Sequence, residues 1–349
     1  MNDDFAIKSL ATSSEAELIA PDSLTSRETV SQFLSKLLPT TQEKNPAAAL
    51  VPWICERLPS EQSRKTYASV IRDFVLHMRD CGLDPLSVGG DDIRVFREAL
   101  RQGGMQPATI AKQLSVLRGM YRQFGKRSLV DWETVQDIQS VESPRVPKNS
   151  TPILTEAEAK KLLHQPDLNT LAGVRDHAML FVFFKTACRV SALASATIGS
   201  LERSDHEFYL VVEEKGGKRQ RKALLESSPA LIRYIEFGRI IDKPSNSSLF
   251  RPVAKDRRSL VPRRMNRRSI LDRIKKHAFD AGIDVERFGS RDICCHSLRG
   301  TSITNAIQHG AKLEQAQALA GHSDIRTTQG YFHSSGKESE EAARHIQIR

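Results

Sequence analysis

The stretch SVESPRVPKNSTP, residues 140–152, limits most strongly what this chain can fold into. Pro144, Pro147 and Pro152 forbid a continuous helix through it, and its apolar residues recur at neither helical nor strand spacing. A chain of 349 residues cut there falls into two parts of domain size. The expected organisation is an acidic, loosely ordered extension over 1–46, a helical domain over 47–140, a linker over 141–152 and a second domain over 153–349.

Residues 1–50 hold four Lys/Arg against seven Asp/Glu, and only TVSQFLSKLL is amphipathic enough to suggest a helix. Beyond Pro46 the pattern turns helical. SRKTYASVIRDFVLHMRDCGL spaces Tyr67, Val70, Ile71, Phe74, Val75 and Met78 by threes and fours, with Ser63 as expected N-cap and Gly82 as the stop. GDDIRVFREALRQGG and QPATIAKQLSVLRGMYRQFGK repeat the scheme, the latter with Pro107 in its first turn and Gly125 after its last. A bundle of four or five helices follows, bearing basic residues such as Arg64, Lys65, Lys112 and Arg118 on its surface.

After the linker, LTEAEAKKLLHQ opens a helix with Thr155 as N-cap and Glu158 at the capping-box position. RDHAMLFVFFKTACRVSALASA is apolar enough for a buried helix pair. EFYLVVEEKGGKRQRKALLE alternates Phe208, Leu210 and Val212, turns at Gly216-Gly217 and resumes to Leu224 as a hairpin. From about 266 to 345 the pattern is helical again, broken at Gly282, Gly310, Gly321 and Gly336. The fold class is mainly α with a small β-sheet or hairpin. No apolar run reaches the roughly 20 residues of a membrane span, and MNDDFAIKSL lacks the basic residues of a leader, which predicts a cytoplasmic protein. Cys55, Cys81, Cys188, Cys294 and Cys295 form no CxxC pair, so free thiols and no structural metal are expected.

The net charge of +10 points to a polyanionic partner. Its distribution sharpens this, because residues 251–276 hold eleven Lys/Arg against two Asp/Glu, among them Arg263, Arg264, Arg267 and Arg268. The hairpin adds Lys215, Lys218, Arg219, Arg221 and Lys222. A solvated hairpin tip is one reading of those cations; a basic hairpin entering a DNA groove is the other.

Three short segments carry chemistry. CHSLRG sets His296 and Arg299 three apart, where a helix presents both on one face. TACRVSALAS places Arg189 directly after a strongly apolar stretch, either as a helix-end cation or as an anion ligand. LAGHSDIRTTQGYFH supplies His322 and, nine residues later, Tyr331. Taken alone, Tyr331 reads as a half-buried aromatic with a satisfied hydroxyl. Together, two Arg, two His, a Lys and a Tyr meet the needs of metal-free phosphodiester cleavage: a nucleophile, cations around the phosphorane, and a proton donor for the leaving oxygen.

In this order, Arg189, Lys215, His296, Arg299, His322 and Tyr331 resemble the motif of the tyrosine recombinases, which include phage integrases and Xer-type recombinases. The resemblance runs from about residue 50 to the end. It implies a two-domain C-clamp around double-stranded DNA at a specific core site, with the helical segment before the linker as the core-site-binding domain. It implies that Tyr331 forms a 3'-phosphotyrosyl link, that Arg189 and Arg299 stabilise the phosphorane, and that Lys215 protonates the 5'-oxygen, with Lys218 as the other candidate. His296 would act as general acid or base, and His322 would hydrogen-bond the phosphate. A tetramer on two DNA sites, docking through a C-terminal tail helix within 335–349, is further implied, with a second recombinase or accessory factor as possible partner, no cofactor, and a nucleoid-associated setting. Three features depart from the family pattern: Ala192 stands where an acid is usual, TACR replaces Thr-Gly-aliphatic-Arg, and Gly300 stands where a bulkier residue is frequent. A type IB topoisomerase uses the same chemistry, and a non-catalytic DNA-binding regulator would share the charge; a metal hydrolase built on Cys294, Cys295, His296 and His322 is a remoter alternative.

Overall fold

In a computed structural model of the protein, the structure describes residues 23–38, 40–41, 44–146, 151–204, 207–213, 217–283 and 292–331. The chain divides into two compact units, Met1–Lys148 and Asn149–Arg349.

The first unit is built from α1 (Arg27–Leu37), α2 (Pro46–Arg57), α3 (Glu61–Asp80), α4 (Gly90–Gln102), α5 (Pro107–Lys126) and α6 (Trp132–Ser140). Phe74 lies at its centre, edge-on to Phe96 at 5.2 Å and to Tyr121 at 6.2 Å, and the Tyr121 hydroxyl donates to the Pro85 carbonyl at 2.7 Å. The expectation of a loosely ordered extension to residue 46 gives way from Leu24 onward. Leu24, Val30, Phe33, Leu34 and Leu37 are buried in the same core, because α1 presents its apolar stripe to the bundle and Ser26 caps it. Residues 1–22 lie outside the described residues.

Two local expectations shift. Ser60, not Ser63, caps α3; its hydroxyl accepts from the Ser63 amide at 3.2 Å, so Ser63 already occupies the first turn. Gly125 lies inside α5, where a Cβ would fall 2.9 Å from Val135 Cγ2, so close packing of α6 explains it better than helix termination.

The second unit holds α7 (Glu156–His164), α8 (Leu171–Thr186), α9 (Val190–Ser195), a three-stranded antiparallel sheet, α10 (Ser228–Phe237), α11 (Arg267–Asp280), α12 (Cys295–Gln308), α13 (Leu313–Ala320) and α14 (Ile325–Gln329). Thr155 and Glu158 form the capping box that starts α7. The sheet runs β1 (Leu201–Ser204), β2 (Glu207–Glu213), β3 (Arg219–Ala223) in that order. LERS has no apolar alternation, so β1 exists only through its pairing with β2, Leu201 opposite Leu210. The register of β3 sets Lys222 opposite Leu210 and Gln220 opposite Val212, turning both polar residues to the buried face that Leu210 and Val212 line. Asp176 accepts from Arg175 at 2.6 Å and pairs with His277 Nε2 at 2.9 Å, a buried polar link between α8 and α11. Among the described residues, no helix is long and apolar enough to cross a membrane.

Candidate active site

Helix α8 ends at Thr186 because Ala187 adopts left-handed backbone, φ 45°, and the chain turns through buried Cys188 into Arg189, the N-cap of α9. The apolar run of α8 thus delivers a half-exposed guanidinium to a turn. Helix α12, starting at Cys295, carries His296 exposed in its first turn and Arg299 one turn on, 2 % exposed.

Arg299 organises the surroundings. Nη1 donates to the Ala187 carbonyl and Nη2 to the Ala320 carbonyl, the latter at 2.6 Å. Ala187 lies two residues before Arg189 and Ala320 two before His322, so one buried guanidinium ties both segments to α12. The carbonyl at Ala320 is one of those a helix C-terminus leaves without an intrahelical donor. The charges of Arg299 and Arg189 reach His296 as well. Desolvation first, then Arg299 and Arg189, hold its imidazole below the ordinary 6.5, which favours the neutral ring near pH 7.

After α13 the chain turns at Gly321, φ 64°, a left-handed position where a Cβ would also fall 2.3 Å from Gln220 Oε1 of β3. His322 follows. Its Nδ1 lies 3.0 Å from the hydroxyl of buried Thr328, and its ring stacks on Tyr331 at 6.0 Å and 10°. Tyr331 is half-buried; its ring packs toward Ala187, Ile303, Ala316 and Ala320. Gly300 leaves room for it: a Cβ there would sit 3.0 Å from Tyr331 Cε1. Of the three departures from the family pattern, Gly300 thus has a structural account. Ala192 is buried at 2 %, and nothing in the structure explains its replacement of an acid.

The geometry therefore gathers Arg189, His296, Arg299, His322 and Tyr331 around α12, the α8–α9 turn and the α13–α14 turn. Lys215 and the tail 335–349 lie outside the described residues. Lys218 is exposed directly before β3. Cys295, the first residue of α12, is no ready metal ligand, because burial pushes its thiol up to about 12.

The basic residues chosen as DNA contacts divide. Arg219 and Arg221 are exposed on the hairpin, with Arg221 3.5 Å over the Tyr209 ring, and Arg263, Arg264, Arg267 and Arg268 are exposed before and at the start of α11. In the first unit Lys112 is exposed and Lys65 pairs with Glu61 at 3.0 Å. Three others point inward. Arg64 donates to the carbonyls of Leu58, Leu24 and Thr25; Arg118 donates to the Val141 carbonyl and, at 3.1 Å, to Ser143; Lys222, 5 % exposed, donates to the Leu319 carbonyl. Each satisfies carbonyls at chain turns, and such partners carry no sequence signal. Thr328 and Gln220 are residues the sequence reading missed. For Gln220 a cue exists: RQRK alternates in step with the inward Leu210 and Val212 of the strand before it.

A model of the Phage integrase family matches residues 152–338, and one of its N-terminal SAM-like domain matches residues 54–127. Tyrosine recombinase XerD of Yersinia pestis is 31% identical over 284 residues, covering 80% of this chain and 89% of the relative. Among solved structures, a lambda integrase dimer bound to a COC' core site superposes with TM-score 0.61 at 16% identity, covering 86% of this chain and 98% of that one. XerH bound to a palindromic difH substrate gives 0.62 at 16% identity, with 92% and 97% covered.

Proposed function

The chain belongs to the phage integrase family, the tyrosine recombinases, and from that premise we propose that it cuts and rejoins double-stranded DNA at a specific core site with Tyr331 as nucleophile. The Tyr331 oxygen attacks the scissile phosphorus, the bond to the 5'-oxygen breaks, and that oxygen leaves with a proton donated by Lys215 or, failing it, Lys218. A 3'-phosphotyrosyl ester and a free 5'-hydroxyl result. Rejoining is the reverse, with the 5'-hydroxyl of another strand as attacking group, so the bond energy is conserved and no ATP is consumed.

Arg189 and Arg299 supply the positive charge that the phosphorane demands, strongest where water is excluded, as around Arg299. His322 hydrogen-bonds the phosphate while its stacking orients Tyr331, and His296, held neutral near pH 7, accepts or relays a proton. The observation that carries the reading is Arg299 bridging the carbonyls of Ala187 and Ala320, since it anchors the Arg189 and the His322–Tyr331 segments to one helix. The helical unit before the linker holds the core site, with Lys65 and Lys112 at hand for phosphates. Two pairs of subunits on two sites form the exchanging tetramer, in the cytoplasm with the nucleoid, with or without a second recombinase. Duplex selected by the protein from a random-sequence library, nicked near the cleavage position, should trap a covalent adduct without Mg2+. An adduct formed by Tyr331→Phe would overturn the choice of nucleophile.

A further inference from the structure

Spacing along β3 groups Lys222 with the hairpin cations, yet the register turns it to the buried face opposite Leu210. Its Nζ donates to the Leu319 carbonyl, 97 residues further along the chain. Leu319 and Ala320 are the last two residues of α13, and their carbonyls lie at the negative end of the helix dipole with no intrahelical donor. Lys222 takes the first of these carbonyls and Arg299 the second. Two residues earlier on the same strand face, Gln220 lies against Gly321, so β3 grips the turn leading into His322 at two successive inward positions.

An ammonium in such a place is costly to desolvate, and a Met side chain of similar length would fill the space without that cost. The buried ammonium donates to the α13 terminus instead. We propose that Lys222 is a positioning residue of DNA cleavage: it holds the C-terminal turn of α13, and through it the Arg299 guanidinium and His322, in the arrangement that attack requires. The inference rests on the reading of this site as that of a tyrosine recombinase. It also links the nucleophile's turn to the hairpin, whose strand β3 begins directly after Lys218.

The test compares full-length wild type, Lys222→Met and Lys222→Arg on nicked duplex selected by the wild type from a random-sequence library. Lys222→Met is expected to cleave about thirtyfold more slowly at saturating DNA, with DNA affinity within about twofold of wild type, and Lys222→Arg to recover to within about threefold. On the same duplex with a bridging sulfur in place of the 5'-oxygen, which leaves without needing a proton, the deficit of Lys222→Met should persist. Its disappearance there would make Lys222 a proton donor and overturn the positioning role, as would a Lys222→Met that cleaves like wild type or loses affinity alone. Lysine acetylation of the wild type, read by mass spectrometry, serves even if Lys222→Met does not fold: Lys222 should be modified slowly with and without DNA, whereas protection appearing only with DNA would overturn the inference. Failure of wild type to form any Tyr331 adduct would instead overturn the recombinase reading itself.

Discussion

The ring of Tyr331 lies over the α-carbon of Gly300, so closely that a Cβ there would sit 3.0 Å from Tyr331 Cε1 and 2.7 Å from Ile153 Cδ1. Ile153 Cδ1 ends a flexible side chain and can yield; the ring has less freedom, since it also stacks on His322. Gly300→Ala should therefore displace the Tyr331 ring by a few tenths of an ångström and slow single-turnover cleavage about tenfold. Alanine is the better helix former by about 1 kcal/mol, so the melting temperature should hold or rise. A variant that melts earlier and cleaves normally would contradict this account.

The hydroxyl of Thr328 is one of the groups that hold His322. Thr328→Val keeps shape and volume but removes the hydroxyl 3.0 Å from His322 Nδ1. The expected loss is about 1 kcal/mol of stability, seen by denaturant titration, and about tenfold in cleavage rate. Thr328→Ser should retain most of both.

The His296 imidazole offers a pH test. Its folded pKa lies below the unfolded 6.5, so the unfolded chain binds more protons between the two values. The stability this ring contributes is full above 6.5 and is lost as pH falls through the folded pKa. NMR titration should find the ring midpoint below 6.5, and Arg189→Gln, by removing one of the charges that depress it, should move the midpoint upward. A midpoint that ignores Arg189→Gln would argue against their proximity.

Exposed and inward cations should separate in binding experiments. Replacing Arg263 and Arg264 together by Ala is expected to weaken DNA binding at every sequence and to reduce the salt slope by about one per lost phosphate contact.

Arg64→Met should leave that slope unchanged. Its effect belongs to the fold, because it leaves the carbonyls of Leu24, Thr25 and Leu58 without their donor. Hydrogen exchange over α1 should accelerate, and a loss of salt slope instead would return Arg64 to the DNA-contact set.

Much was determined by the sequence alone. Period and punctuation located α3, α4, α5, α7, the α8–α9 pair and the β2–β3 hairpin, and pointed to α1 in TVSQFLSKLL, because these are local properties of apolar spacing, caps and glycine turns. The set of reactive residues and their order were legible too, and with them the family, since chemistry depends on which groups are present. Direction was legible only in the alternation of RQRK along β3. Lys222 and Lys218 are alike as letters, but strand register turned one inward and left the other exposed. Arg64, Arg118 and Arg299 found backbone carbonyls far along the chain, and every residue carries a carbonyl, so no pattern of side chains announces which will lack a donor. Only tertiary packing decided which helix ends needed a cation, and therefore which of the basic residues hold the protein together and which are left exposed.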